Sequence, residues 1–547
     1  MKNKTVFKTV AAVMMSLSLL TGCEGSEGQK SRGSIGDTAE EEEVTPTEAP
    51  KPTQAEATPT EAPTPTPVPE AVAPDYRQLE LSSYQMSNSY YDEDLEATIA
   101  SVSVTHMELL DNDLPKLKKS IDDYIADNER SLNGSDFDGF VEEAKGCAEV
   151  WGGPVELYAN YYTRVARADT VVTSLITDYD DFHGGAHGLY YTFPVNFDSV
   201  TGKELNINDV INPDWIDVFP QILEEKLLEE YDPGQFFNPD SLAADIEEAY
   251  HMTGDYDFSL GYEGMTVYFQ IYALAPYASG SQAVFLRYED YPELVNEKYT
   301  DCSYNYFIDQ EAVGISMPNY AVKAETYGYL TDKGDDWMFK NLVIYLDEIQ
   351  YKEEVYAYDA EFYFACIGSE TYMFVNLHHE DDYQNINVYY IDTYNRKIEK
   401  KCEFDGGFYN SIPSDPMNFR IYQRTDMFST YSIYKYYYIG RDGEPVTTDD
   451  YFLADVDPQY LYLTAKEDIS VDIIEKQDNT AVEYIEYHDT VKKGQKLYFY
   501  ATDNEQWAEF ILDDGRIARI TLDKPGWPMT INGVDIEELF DGIMFAG

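Results

Sequence analysis

From Glu24 to Pro74 the chain is made of residues that cannot build a core, and this confines any fold to the residues beyond Pro74. The stretch opens with Gly, Ser and Glu, passes through Glu40 to Glu43, and ends in TPTEAPKPTQAEATPTEAPTPTPVPEAVAP. It offers too little apolar surface to offset the entropy of ordering. Proline and like charge keep such a segment extended. At ~3 Å per residue it reaches on the order of 100 Å. Residues 23–75 are therefore read as an unfolded spacer, and folded structure is expected from 76 to 547.

The residues before the spacer read MKNKTVFKTVAAVMMSLSLLTGC. Lys2, Lys4 and Lys8 make a basic start, and Val10 to Leu20 is an apolar stretch too short to span a bilayer. Leu20-Thr21-Gly22-Cys23 has the order of a lipobox. The expectation is a signal peptide over 1–22 and a diacylglyceryl group on the Cys23 thiol. The lipid would hold the chain on the extracellular face of the cell membrane, since each buried CH₂ contributes about 0.8 kcal/mol. No later stretch approaches ~18 apolar residues, so the lipid would be the only membrane contact.

The formal net charge is −64, from 102 acidic and 38 basic residues. Such a field repels nucleic acid and anionic lipid, and attracts metal ions, cationic peptides and basic proteins. Apart from Cys23, the cysteines are Cys147, Cys302, Cys366 and Cys402. Four thiols allow two disulfides in three pairings, among which the sequence does not choose. No CxxC is present, which excludes a zinc ribbon or a thioredoxin-type motif.

With 50 Tyr and 26 Phe the folded part favours β-structure, because aromatic rings suit a half-buried pleated surface. Over 76–300 the pattern is α+β. Leu95–Thr105, Leu157–Val165, Thr170–Asp178 and Leu189–Phe197 read as strands of an antiparallel sheet. Asp113–Asn128 carries Leu114, Leu117, Ile121 and Ile125 at helical spacing. Asp136–Ala148, Trp215–Tyr231 and Asp240–Tyr250 read as further helices. Asp257–Leu260, Gly264–Tyr272 and Gln282–Tyr288 close the region as strands.

Several pieces of this region resemble one known family. They are Gly184-Gly185-Ala186-His187-Gly188, the strand and turn from Asn196-Phe197-Asp198 to Thr201-Gly202-Lys203, Leu205–Val210, and Tyr268–Tyr272 followed by Leu274-Ala275-Pro276-Tyr277-Ala278-Ser279-Gly280. Together they are similar to the RsiV-like extracellular domain, found in anti-sigma-V factors and beside the catalytic domain of PdaC-type peptidoglycan deacetylases. The resemblance implies a sensing or binding module outside the cell, with lysozyme or another basic wall-active protein as partner. In that family a transmembrane helix and a cytoplasmic segment carry the signal inward. Here a lipobox stands in their place, so direct control of a sigma factor is not expected, while a ligand-binding or decoy role is.

The loop Asp180-Asp181-Phe182-His183-Gly184-Gly185-Ala186-His187-Gly188 invites two readings. His183 and His187 with Asp180 or Asp181 have the residue types of a metal site. Against this, three glycines oppose the helix on which a spacing of four would converge. The preferred reading is a tight loop whose His bonds to backbone or meets a ligand, with His183, Gly184, Gly185, His187 and Gly188 as its residues and no metal or cofactor.

Residues 301–480 read as an all-β region of short strands, among them Phe339–Leu346, Ala360–Ile367, Tyr372–Leu377, Ile386–Asp392, Phe419–Gln423 and Tyr431–Ile439. No period of 40–50 residues is sustained, so a propeller, a meander and a sandwich all remain open. Residues 481–547 read as a small SH3-like β unit in which Trp507 and Trp527 are candidates to line a groove for peptidoglycan. In His378-His379-Glu380-Asp381-Asp382, neighbouring side chains on extended backbone point apart and cannot all ligate one ion. There is no GxSxG, HExxH, GxxxxGK[ST] or GxGxxG motif. The expectation is a binding protein rather than an enzyme.

Overall fold

The computed structural model describes residues 76–313, 325–334, 337–380, 383–455, 461–476 and 483–545. The leader, Cys23 and the Thr/Pro/Glu tract lie outside the described residues.

The first region is built on strands β1 (Leu81–Asp92) and β2 (Ala97–Leu109), helices α1 (Pro115–Glu129) and α2 (Gly134–Trp151), and strands β3 (Leu157–Ala168), β4 (Val172–Phe182) and β5 (Leu189–Asp198). In α1, Pro115 opens the first turn, where its missing N–H costs nothing. Leu117, Ile121 and Ile125 then make one buried stripe at four-residue spacing. In α2, Phe137, Val141, Ala144 and Ala148 do the same, and Gly152 ends the helix in the left-handed conformation. The α2 stripe packs on Ala100, Val102, Val104, Leu157 and Ala159 of the sheet.

The α+β class is as expected, but the sheet is mixed. β2 pairs in parallel with β3, Ala100 opposite Leu157 to Val104 opposite Tyr161. A parallel pair needs a crossover longer than a hairpin, and α1 with α2 provides it. The strand order is β1-β2-β3-β4-β5, with Ser411–Ile412 added as a short sixth strand outside β1.

The chain continues through helices α3 (Phe219–Glu230) and α4 (Leu242–Thr253) into a small sheet of β6 (Asp257–Leu260), β7 (Gly264–Phe269) and β8 (Gln282–Arg287). Trp215–Tyr231 is not one helix. A 3-10 turn over Pro213–Trp215 is separated from α3, in which Pro220 is confined to the first turn because it cannot donate further in. Phe219, Leu223 and Leu227 of α3 meet Leu242 and Ile246 of α4 over Phe258, Val267 and Val284.

The second half is antiparallel. β9 (Asn305–Asp309) joins β13 (Asp359–Ile367), β14 (Glu370–His378), β15 (Gln384–Asp392) and β16 (Lys397–Asp405) in a five-stranded sheet. Strands β10 (Thr326–Lys333), β11 (Phe339–Leu346) and β12 (Ile349–Ala357) form a three-stranded sheet whose Leu342, Ile344 and Leu346 pack on Phe364, Met373 and Val375. The other face of the five-stranded sheet buries Phe307, Phe374, Val388, Phe408 and Phe419. Covered on both sides, β14 is buried almost from end to end and reads as a continuous apolar run.

The meander expected near the C-terminus is present as Lys496–Thr502, Trp507–Leu512 and Ile517–Thr521. It belongs to an open sheet. Phe452 and Leu453 pair with Thr502 and Ala501, which joins the meander to strands Tyr431–Ile439 and Phe419–Thr425. No closed barrel is present among the described residues. No helix among them is long and apolar enough to cross a membrane.

Candidate functional site

Strand register assigns side chains to the two faces of the first sheet. One face lies under α1 and α2. The other carries Ser89, Ser101, Tyr158 and Phe182 in one row, and Ser87, Ser103, Asn160, Asp180 and Tyr190 in the next. These rows are not buried: Tyr190 keeps 39% of its surface exposed, and neighbouring Tyr162 keeps 43%. No Lys or Arg stands in either row. Burial and the nearby Asp181 charge hold the Asp180 carboxyl above its ordinary range. Arg164 lies beyond the second row, but its charge is committed to Asp178, with Glu311 at 3.6 Å.

The loop from His183 to Gly188 borders this face. β4 runs through Phe182, so Asp180 and Asp181 are strand residues pointing to opposite sides. His183 turns toward α2, with Nδ1 2.9 Å from Glu143 and Nε2 3.5 Å from Asp181. Its ring meets Phe140 edge-on. The hydrogen bond to Asp181, opposed by burial and aided by Glu143, pushes its pKa up to about 9, so the imidazole is charged at neutral pH. His187 turns the other way. Its Nδ1 donates to the Gly188 carbonyl at 2.9 Å, and its ring stacks on Tyr277 at 3.8 Å. The Tyr277 hydroxyl donates to the same carbonyl.

The two histidines thus serve different anchors. Among the described residues no group of three or more His, Cys, Asp or Glu side chains is placed to hold a metal. Gly184 has φ +76°, and a Cβ there would lie 2.8 Å from the Cys147 sulfur. A Cβ on Gly188 would lie 2.4 Å from the Asp181 carbonyl. Gly185 is open to solvent, and nothing close requires a glycine there.

Two exposed rings lie on segments that hold the loop, and neither stands among the candidate site residues of the sequence. Trp151, one helical turn beyond Cys147, is 62% exposed, and Tyr272 is 47% exposed with its ring 5.8 Å from Tyr277. Tyr158, Asn160 and Tyr190 were also missed as site residues. A period-two pattern is present in Tyr158-Ala159-Asn160, but Tyr161 and Tyr162 in succession hide which ring is buried.

The other candidates do not converge on a site. His378 reaches Glu361 and Asn376, while His379 turns to Asn385 and the Tyr383 ring, so the adjacent pair points apart. Asp381 and Asp382 lie outside the described residues. Trp507 lies under the Arg519 guanidinium at 4.0 Å, whereas Trp527 is 63% exposed with Phe545 edge-on to it. Cys147, Cys302, Cys366 and Cys402 are unpaired thiols. Two small cavities, one beside Arg167 and Tyr262 and one beside Glu80 and Arg420, are each about 10 Å³, room for one water.

Two solved structures are similar to part of the chain. One is a member of the DUF3298 family from Bacteroides fragilis, 18% identical, covering 40% of this chain and 94% of its own, with a TM-score of 0.30. The other is a DUF3298 family protein from Pseudomonas aeruginosa, 14% identical, covering 41% and 98%, with a TM-score of 0.28. No curated protein matches the chain. Residues 208–289, which run from before α3 to just past β8 and include Tyr272 and Tyr277, match the family model described as protein of unknown function, DUF3298.

Proposed function

We propose that this protein is a lipid-anchored, extracellular binding protein that captures a cationic protein on the open face of its first sheet. The observation that carries the reading is the pair of rows holding Tyr158, Asn160, Asp180 and Tyr190, which offer rings, an amide, hydroxyls and a carboxylate with no competing cation among them. Lysine and arginine side chains are recognised by such groups through cation–π contact and charge-assisted hydrogen bonds. The net charge of −64 adds long-range steering of a basic partner. The loop at His183–Gly188 fixes the border of the face, with the Tyr277 ring stacked on His187 and the exposed Tyr272 ring beside it.

The RsiV-like resemblance names the partner class as lysozyme or a related basic wall-active protein, and the reading is of a receptor or decoy without catalysis. The lipobox at Cys23 and the Thr/Pro/Glu tract support a placement on the extracellular face of the cell membrane with reach into the wall. With a lipid as its anchor, the protein would pass a signal across the membrane through a second protein. Titration of the purified chain with lysozyme tests the reading. Binding is expected at low salt and is expected to weaken as salt screens the acidic field. Absence of binding at low salt overturns it.

A further inference from the structure

Three sheet edges among the described residues are blocked. At β8 the Tyr231 hydroxyl engages both the N–H and the carbonyl of Ala283. At β5 the Gln270 amide does the same for Thr192, and Pro194 removes a donor further along. β16 carries Lys397, Lys400 and Lys401. Charge, proline and side-chain capping are the usual ways to keep a foreign strand from adding to an edge.

β1 has none of these. On its inner side β2 pairs along the whole strand, unbroken until a register shift at Tyr90/Tyr91. On its outer side Ser411–Ile412 pairs with Leu81 and Ser82 only, and the Asn410 carbonyl takes the Ser83 N–H at 2.7 Å. Past Ser83 no strand is paired to this side among the described residues. Backbone donors alternate sides along a strand, so the amides of Gln85, Ser87 and Ser89 face outward as that of Ser83 does. Residues 81–91, LSSYQMSNSYY, include no charged residue and no proline, in a chain whose net charge is −64. The chain's own segment at 410–412 shows that this edge accepts a strand.

We propose that the outer edge of β1 from Ser83 to Ser89 is a strand-addition site for an extended segment of another polypeptide, uncharged along the edge and basic at one end. The charge of the occupant is set by the end of the strand. Asp92, Glu93, Asp94 and Glu96 crowd the hairpin between β1 and β2. A lysine- or arginine-bearing end beside them is attracted, whereas a second copy of this chain would bring its own large negative charge to the contact. The main chain of β1 supplies the hydrogen bonds. This goes beyond the capture reading, because it uses backbone groups of β1 rather than side chains of the open face.

The test uses the full chain and a synthetic peptide of roughly eight alternating Thr and Val residues followed by three lysines. Binding is read by fluorescence anisotropy, and amide exchange at Gln85, Ser87 and Ser89 by NMR or mass spectrometry. The peptide is expected to slow exchange at these three positions. S87P removes an outward N–H that β2 does not use, and is expected to weaken binding by at least about tenfold. S89P, which removes the next outward N–H, serves the same purpose if the S87P variant does not fold. A peptide with glutamates in place of its lysines is expected to bind more weakly. Unchanged exchange at Gln85, Ser87 and Ser89 overturns the proposal. So does slowing that rises with protein concentration in the absence of peptide, which would identify a second copy as the occupant. Loss of peptide binding in D180N/Y190A equal to that in S87P also overturns it, because the peptide would then sit on the open face.

Discussion

Gly184 and Gly188 are glycine for different reasons, and the difference can be measured. Gly184 sits at positive φ against the Cys147 sulfur, so an L side chain there meets both backbone strain and a neighbour. G184A is expected to cost about 1–2 kcal/mol in urea unfolding, the strain of a left-handed L-residue. His183 gives a pH signature at the same loop. Its folded pKa of about 9 lies above the ordinary value of 6.5, so its contribution to stability is complete below about pH 6.5 and is lost as pH rises through 9. The stability excess of wild type over H183Q is therefore expected to shrink between pH 6.5 and 9 in paired unfolding curves. An excess that is flat over this window would mean that the charged pairing with Asp181 and Glu143 is not formed.

At the scale of elements, the sheet edge explains a residue that sequence reading passes over. Gln270 lies outside any strand, yet its amide satisfies both backbone groups of Thr192 on β5. Q270A is expected to cost about 1–2 kcal/mol and to speed exchange of the Thr192 amide. Exchange as slow as in wild type would show that another group covers the edge. The same physics decides how far elements were legible. α1 and α2 announced themselves because Leu117, Ile121 and Ile125, or Phe137, Val141 and Ala144, repeat at helical spacing. β1 did not, because its serines and asparagine face water and an open edge, leaving no apolar alternation to read. The parallel pairing of β2 with β3 was equally hidden, since strand direction depends on how the intervening helices cross. At the site, the glycine and histidine loop was visible as a motif. The open face was not, because Tyr158 and Asn160 become neighbours of Asp180 and Tyr190 only through strand register.

At the scale of the molecule, buried apolar contacts and surface charge divide the work. Sheets in the second half are held by apolar clusters, and the short strand at Ser411–Ile412 extends the first sheet from that half of the chain. Arg420 also reaches back to Glu80 at 2.5 Å. The far end of the face opposite the helices is covered where Ala166 and Ile176 join the core of the second half, whereas the end with Tyr158, Asn160, Asp180 and Tyr190 keeps exposed side chains among the described residues. The most direct measurement is the affinity for lysozyme of wild type and of D180N/Y190A, both at low ionic strength. The double variant is expected to bind at least about tenfold more weakly, a loss of about 1.4 kcal/mol, with its thermal midpoint unchanged. Equal affinity of the two proteins, or no affinity in either, would contradict capture on the open face.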